Sequence, residues 1–516
     1  MRRYGKILLL LTLACIFMLA LAADASAEGI LDDTRFPDMA LRQALADKYG
    51  DAHHYVDFVH TEDLNLANCG ISDLTGLELF TNLVTLDCSG NNLTSLAHLS
   101  ECTKLSTLDC RVNPLAVLDM GNYPSLSELY CSGEQLTTLK IRNNRSTLRI
   151  LRLNNTGISA LDLSDFDALE SVSFLEDALR SLDVSGCEKL ESVYCTDCPL
   201  SRIELAGCTA LDYVNLNRCD LQSLSLQDLP ALSYLSCAGN PALTSLNVSL
   251  CPALEEINCP SCALETLSVS GCGELTGLYC DHNKLTALPA VPTLTVLTCA
   301  DNRLASLGSF PELIDLDCSH NRFTALSVPA GLQTIICAYN ALTTLDLRTC
   351  EEMFYADCAH NALTALEIGG CTELEMLYAH DNRLPSIDIE NTGLSGLTWV
   401  GHGQFDGMDV MTWQNDFTFD TTTTLLRGST VIYAPESQET PLPEFFLPYA
   451  LVTIGDEAFC GIAAEAVLIP DTVKSITGDP FGGSKVTHIY GYPGSAAETF
   501  VRTHPGYTFV PIDGGD

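Results

Sequence analysis

The chain has 516 residues, 47% of them hydrophobic, and its 26 basic and 66 acidic side chains give a formal net charge of −40 at pH 7. A surface this acidic repels nucleic acid and anionic lipid, so neither is an expected partner; at long range it favours basic groups or divalent cations, and it keeps a long chain soluble by self-repulsion. Length alone would suggest about three domains, but the pattern of the chain replaces that estimate.

Residues 1–27 read as a signal peptide. Arg2, Arg3 and Lys6 precede an apolar run from Ile7 to Ala23, and Ala25-Ser26-Ala27 supplies a small-x-small cleavage site. Cys15 lies inside that run, which favours ordinary cleavage over lipid attachment. No other stretch reaches the roughly 18 apolar residues of a spanning helix, and the end at Asp513–Asp516 shows no anchoring signal. The expected location is outside the cell, in solution or at the cell surface.

Residues 28–60 are expected to form an N-terminal helical cap. Phe36-Pro37-Asp38 opens a helix, Leu41 and Leu45 sit one turn apart, and Gly50 stops it. A degenerate first coil follows, with Leu64, Leu66, Cys69, Ile71 and Leu74. From Leu83 the frame L-x-x-L-x-C-x-x-N-x-L-x-x-L then returns every 19 to 22 residues, starting at Leu83, Leu105, Leu126, Leu148, Leu169, Leu190, Leu211, Leu232, Leu254, Leu275, Leu294, Leu313, Leu332, Met353 and Leu374. Period and spacing are those of a leucine-rich repeat, one short strand and a return arc per coil. A single coil cannot bury its apolar edge, so coils stack. The expected fold over 61–397 is a leucine-rich-repeat solenoid with a parallel β-sheet on its concave face and short irregular or 3-10 return arcs.

The cysteines follow the same frame. The sixth slot holds Cys88, Cys110, Cys131, Cys195, Cys237, Cys259, Cys280, Cys299, Cys318, Cys337 and Cys358, with Leu153, Leu216 and Phe174 in other coils, so it is an inward apolar slot. A second set (Cys102, Cys187, Cys208, Cys251, Cys272, Cys350, Cys371) precedes the next repeat, and Cys69, Cys198, Cys219 and Cys262 replace the ninth-slot asparagine. Stacked coils hold Cβ atoms about 4.8 Å apart, beyond the ~3.8 Å of a relaxed disulfide. Buried free thiols are therefore expected. The pairs Cys195–Cys198 and Cys259–Cys262 have redox or zinc spacing, but they lie three coils, roughly 14 Å, apart and belong to the core frame. No metal or other cofactor is expected.

The ninth-slot run Asn283, Asn302, Asn321, Asn340, Asn361 and Asn382 supplies amides that can satisfy backbone groups where the chain leaves the strand. The eighth slot reads His282, Asp301, His320, Tyr339, His360, Asp381, with His380 beside the last. Imidazoles in every second coil stand about 10 Å apart, too far for one metal ion.

Regularity fails near Trp399. Residues 398–445, rich in glycine, threonine and proline, read as an irregular connector. In 446–516 a second repeat appears: Ile454 to Phe459 is echoed by Ile476 to Phe481, and Val467 by Ile489. Ser495–Glu498 reads as a capping box, and Tyr507–Val510 as a closing strand.

The coils of 31–397 resemble bacterial secreted leucine-rich-repeat proteins, including the internalins. Ile454–Phe459, Leu468-Ile469-Pro470-Asp471 and Tyr490–Glu498 resemble the BspA-type repeat and its closing segment. The resemblance implies extracellular adhesion or binding of a host or bacterial surface protein or glycan.

Strand slots three, five and seven face the concave surface. They place Tyr194, Tyr213, Tyr234 and Tyr279 in one aromatic patch and Phe354, Tyr355 and Tyr378 in another, near Met376 and Ile336. Clustered exposed tyrosines are frequent binding anchors, although tyrosine also simply favours strands. No nucleophile elbow, phosphate loop or zincin helix appears. The chain is expected to be a non-catalytic binding protein; the alternative is an envelope assembly module without a foreign ligand. An enzyme would require 400–445 to form a pocket.

Overall fold

The computed structural model describes residues 31–50, 55–396 and most of 401–512; outside it lie 1–30, 51–54, 397–400, 434–443, 513–516 and short stretches between 406 and 463. The expected signal peptide thus lies outside the described residues. Among those described, no helix is long and apolar enough to cross a membrane. The chain divides into two compact units, one ending at Leu254 with Val269–Cys272 added, the other holding the remainder from Glu255.

Each unit is a parallel β-solenoid of the leucine-rich-repeat kind. In the first, principal strands of three to five residues pair in strict register from Asp63–Asn65 through Thr85–Asp87 and Thr107–Asp109 to Tyr234–Ser236. Register keeps like slots opposite. Leu64, Leu86, Leu108, Leu129 and Leu151 align, and each is at most 2% exposed. The second unit repeats this from Glu256–Asn258 to Met376–Tyr378. A one-residue slip would turn every fourth-slot apolar side chain outward, which is why the register holds.

The cap helix runs Met39–Tyr49. Asp38 caps it by accepting the Leu41 N–H at 3.0 Å, and Leu41 and Leu45 are fully buried. The other Asp38 oxygen accepts the N–H groups of Ser72 (2.8 Å) and Asp73 (3.0 Å), tying the helix to the first coil. Phe58, from a second short helix Tyr55–His60, packs between Phe36 and Phe80.

The return arcs are more ordered than irregular turns. Short 3-10 turns occur at Leu77–Leu79, Ala97–Leu99 and Arg142–Asn144, but most arcs carry a second three-residue strand, and these pair into small parallel sheets such as Ala160–Asp162, Ser181–Asp183 and Arg202–Glu204. The coils starting at Leu275, Leu294 and Leu313 have no such described strand, because 19 residues leave too little chain for it.

The ninth-slot amides bond backbone rather than one another. Asn302 Nδ2 donates to the carbonyls of Cys280 in the preceding coil (2.9 Å) and of Cys299 (3.1 Å) and Ala300 (3.1 Å) in its own, while Oδ1 accepts the Leu285 N–H at 2.9 Å. Asn91, Asn113, Asn283 and Asn321 repeat the pattern. Asp177 occupies the same slot with only acceptors to offer. It takes the Thr156 N–H at 2.6 Å and is 3% exposed, and burial holds its carboxyl above the ordinary value despite the Thr156 hydrogen bonds. With the folded value above the unfolded one, stability is greatest while the group stays protonated. It falls as pH rises through the folded value and remains lower at pH 7. Asp177→Asn is therefore expected to stabilise the first unit at pH 7 by about 1 kcal/mol, by donating to the sixth-slot carbonyls of Leu153 and Phe174, and to remove that pH dependence. Urea midpoints at pH 4 and pH 7 check it; equal midpoints for both proteins at pH 7 would contradict it.

The described cysteines are unbridged thiols, and those of the sixth slot are at most 1% exposed. Burial raises the thiol pKa of Cys88, Cys259, Cys299 and Cys337 in that slot, and pushes Cys102, Cys208 and Cys371, which precede the next repeat, up to about 12 each. Two depart from the core expectation: Cys69 is exposed and Cys262 half-buried. Both sit at the ninth slot, where Cys198 and Cys219 are buried.

The expected connector 398–445 is stacked strand where it is described. Phe417–Asp420 extends the principal sheet beside Met376–Tyr378, Thr424–Arg427 pairs with Ser386–Asp388, and Gly401–Phe405 and Met408–Trp413 form an antiparallel hairpin. Glycine and threonine, taken as loop signals, serve here as strand residues of one more coil. From 444 onward Glu444–Phe446, Ala466–Leu468, His488–Gly491 and Thr508–Pro511 form their own parallel sheet. The echoed residues are true partners: Ile454 lies opposite Ile476, Val467 opposite Ile489, and Phe459 stacks on Phe481 at 5.4 Å. The capping box does not form. Ser495 makes no side-chain cap bond, and Glu498 accepts from Gly494 N–H at 2.6 Å instead.

Candidate functional site

Slots three and five flank the buried fourth slot and face solvent, as the strand patterns of Tyr213–Asn215 and Tyr355–Asp357 show. In the first unit Tyr194, Tyr213 and Tyr234 form a continuous stack on this face. Ring centroids are 4.8 Å apart for the first pair and 4.6 Å for the second, with planes within 27° and 10°. Tyr213 and Tyr234 are direct cross-strand partners, whereas Tyr194 sits at slot five and leans across to join them. Tyr194 remains 38% exposed.

Tyr279 belongs to the second unit. Its ring leans over Gly277, where an added β-carbon would come within 3.4 Å of it. Tyr355 and Tyr378 meet at 5.8 Å. Burial, then Asp357, Tyr378 and Asp317, pushes the Tyr355 hydroxyl up to about 12. Phe354 precedes the strand and is 40% exposed; its slot alternates with that of Tyr355, so it does not share the tyrosine face. Met376 is the cross-strand partner of Tyr355.

The eighth slot is a left-handed backbone position throughout. His282, Asp301, His320, Tyr339, His360 and Asp381 all have φ between 50° and 55°. Stacking there is tight: Tyr339 lies 4.2 Å from His320 and 4.0 Å from His360 between ring centroids. His282 and His360 each face the next coil's aspartate, at 3.0 Å and 2.8 Å. Among the described residues no group of three or more metal-ligating side chains converges.

Sequence reasoning missed a groove. In the first unit a cavity of about 590 Å³ runs along the strand ends of five coils, lined by seventh- and eighth-slot residues from Asn68 to Asn155. Its floor includes Gly90 (φ 66°) and Gly133 (φ 123°); a β-carbon at Gly90 would collide with the Asn68 amide. Val112, at φ 54° and 68% exposed, stands in the same groove in a conformation unusual for a β-branched residue. Beside it, Arg111 and Arg152 converge on the Tyr130 ring at 5.8 Å and 5.6 Å. Two sequence signals could have found this site. One is the glycine and asparagine at eighth slots. The other is the interval between Glu134 and Asp162, which holds five basic residues and no acidic one.

A family model described as the Endo-beta-N-acetylglucosaminidase EndoS LRR domain matches residues 36–186, a span that includes the groove. No curated protein matches the chain. Among solved structures, the functional domain of InlJ from Listeria monocytogenes, described as including a cysteine ladder, is 20% identical; the alignment covers 86% of this chain and 82% of that one, with a TM-score of 0.36. The internalin InlF of the same species is 17% identical over 68% and 98%, with a TM-score of 0.39. YopM from Yersinia pestis is 22% identical over 78% and 97%, with a TM-score of 0.40.

Proposed function

We propose that this chain is an extracellular, non-catalytic binding scaffold that engages a surface protein or glycan through the solvent face of its principal sheet. The observation that carries the reading is the Tyr194–Tyr213–Tyr234 stack, three rigid amphipathic rings held on one exposed face. The glycan option draws support from the name of the matching family model, a domain of an enzyme that acts on N-acetylglucosamine-containing chains. A catalytic reading would start from Thr75, His98 and Glu78. The Thr75 hydroxyl is 3.3 Å from His98 Nε2, and His98 Nδ1 is 2.5 Å from Glu78. That hydroxyl also donates to Asp73 at 2.8 Å, so its proton is directed away from the imidazole and the group is a poor nucleophile.

The triple variant Tyr194→Ala/Tyr213→Ala/Tyr234→Ala is expected to bind host or bacterial surface fractions at least about tenfold more weakly, a loss of about 1.4 kcal/mol or more, with an unchanged circular dichroism spectrum. Unchanged binding by it and by Tyr355→Ala/Tyr378→Ala would move the site off this face. Self-association without any foreign ligand would favour the envelope-module alternative.

A further inference from the structure

We infer that the groove of the first unit is a saccharide site for a carboxylate-bearing sugar, with Arg152 as its anion anchor; this rests on the binding reading above and names its ligand. The argument begins with charge. The coil region from Lys140 to Arg152 carries five bases. Four are matched to acids of neighbouring coils: Lys140 to Asp119 (3.0 Å), Arg142 to Asp162 (2.7 Å), Arg145 to Asp165 (3.0 Å) and Arg149 to Glu170 (2.6 Å). Arg152 has no carboxylate partner among the described residues. It is exposed at a solvent-facing fifth slot, beside the groove rather than in its lining, and lies over Tyr130. Its planar fork is the side chain that takes a carboxylate in two parallel hydrogen bonds. Two carboxylates also stand at this ring, Glu128 accepting the Tyr130 hydroxyl at 3.0 Å and Asp109 paired with Arg111 at 2.5 Å; exposed charges more than about 8 Å away are screened at physiological salt.

The lining selects the rest of the ligand. Two residues after Arg152, on the same strand face, Asn154 opens into the groove, and Asn68 stands at its far end. Neither side-chain amide bonds another described residue, so both offer a donor and an acceptor to a guest. The Ser89 and Ser132 hydroxyls lie between them, and the two glycines let a guest approach the backbone. A peptide would ask for apolar pockets, and Val112 alone among these lining residues is a large apolar side chain. An amide at either end suits a guest rich in hydroxyl groups, as do the Ser89 hydroxyl, which donates to Asp87 (2.6 Å) and can still accept, and the Ser132 hydroxyl, which accepts the Val112 N–H (2.7 Å) and can still donate. The volume falls within the ~300–1,000 Å³ of small-ligand sites.

The test is calorimetric titration of the full mature chain with 3′-sialyllactose, trigalacturonate, lactose and hexaglutamate. The wild-type protein is expected to prefer one or both acidic saccharides over lactose by tenfold or more. Binding of sialyllactose alone assigns a terminal sialic acid, binding of trigalacturonate alone a uronate, and binding of both the carboxylate sugar in general. Arg152→Gln is expected to remove that preference while leaving lactose affinity and the circular dichroism spectrum unchanged; Asn154→Ala should weaken all saccharides together. Absence of any preference, an unaffected Arg152→Gln variant, or hexaglutamate binding with the same Arg152 dependence overturns the assignment, the last in favour of an acidic peptide. The triple tyrosine variant separates the two readings. Tyrosine-dependent capture without saccharide binding removes only the groove assignment, and loss of both removes the scaffold reading as well.

Discussion

Asn302→Ala is expected to destabilise the second unit by about 1–3 kcal/mol, although it deletes only one small polar side chain. The substitution leaves the N–H of Leu285 without an acceptor in a site 8% exposed, while the carbonyls of Cys280, Cys299 and Ala300 each lose one donor and keep another, from Asn283, Asn321 and the His282 N–H. The orphaned N–H keeps its full desolvation penalty, and the carbonyls lose only a shared bond. Native-state hydrogen exchange should show the Leu285 amide losing protection first, with the denaturation midpoint lowered. An unchanged Leu285 exchange rate would mean that the amide is not what satisfies this turn. Because stacked coils interact chiefly with their neighbours, coils of the first unit should keep their protection.

The second large effect is expected at the closing helix. Phe500 on Ala496–Thr503 is 4% exposed and contacts the rings of Phe481 (6.0 Å), Tyr507 (5.5 Å) and His504 (4.2 Å). Phe500→Ala should cost about 3–5 kcal/mol through lost burial and the cavity left behind. The expected readout is rapid proteolysis within 446–516, since the helix packs beside His488–Gly491 and Thr508–Pro511. A variant as resistant as the parent would show that the aromatic cluster does not hold this segment together. The more conservative Phe500→Leu keeps most of the volume and should restore much of the resistance.

Much of this molecule was legible because one residue slot recurs at one place in every coil. Leu313, Leu316, Cys318 and Phe323 are buried as the frame implies, and Ile454 and Val467 pair with the residues that echo them. What the frame misread shares a physical cause. Gly401, Gly403 and Thr424 were taken as breakers, yet strand pairing overrides weak local propensity. Ser495 and Glu498 had the spacing of a reciprocal cap, but a neighbouring N–H at Gly494 took the carboxylate.

For the candidate sites the division is sharper. Sequence by itself determined the solenoid, its inward slots, and the face on which Tyr194, Tyr213 and Tyr234 lie, since period and strand alternation depend only on order along the chain. Tertiary structure alone decided that Tyr194 leans from its own slot into the stack, that the eighth slot turns left-handed and opens a groove, and that Arg152 is the base of its region left without an acid. Those features are settled between coils about 20 residues apart, by which side chain each neighbour presents across a strand spacing of about 4.8 Å. No spacing within one repeat carries that information.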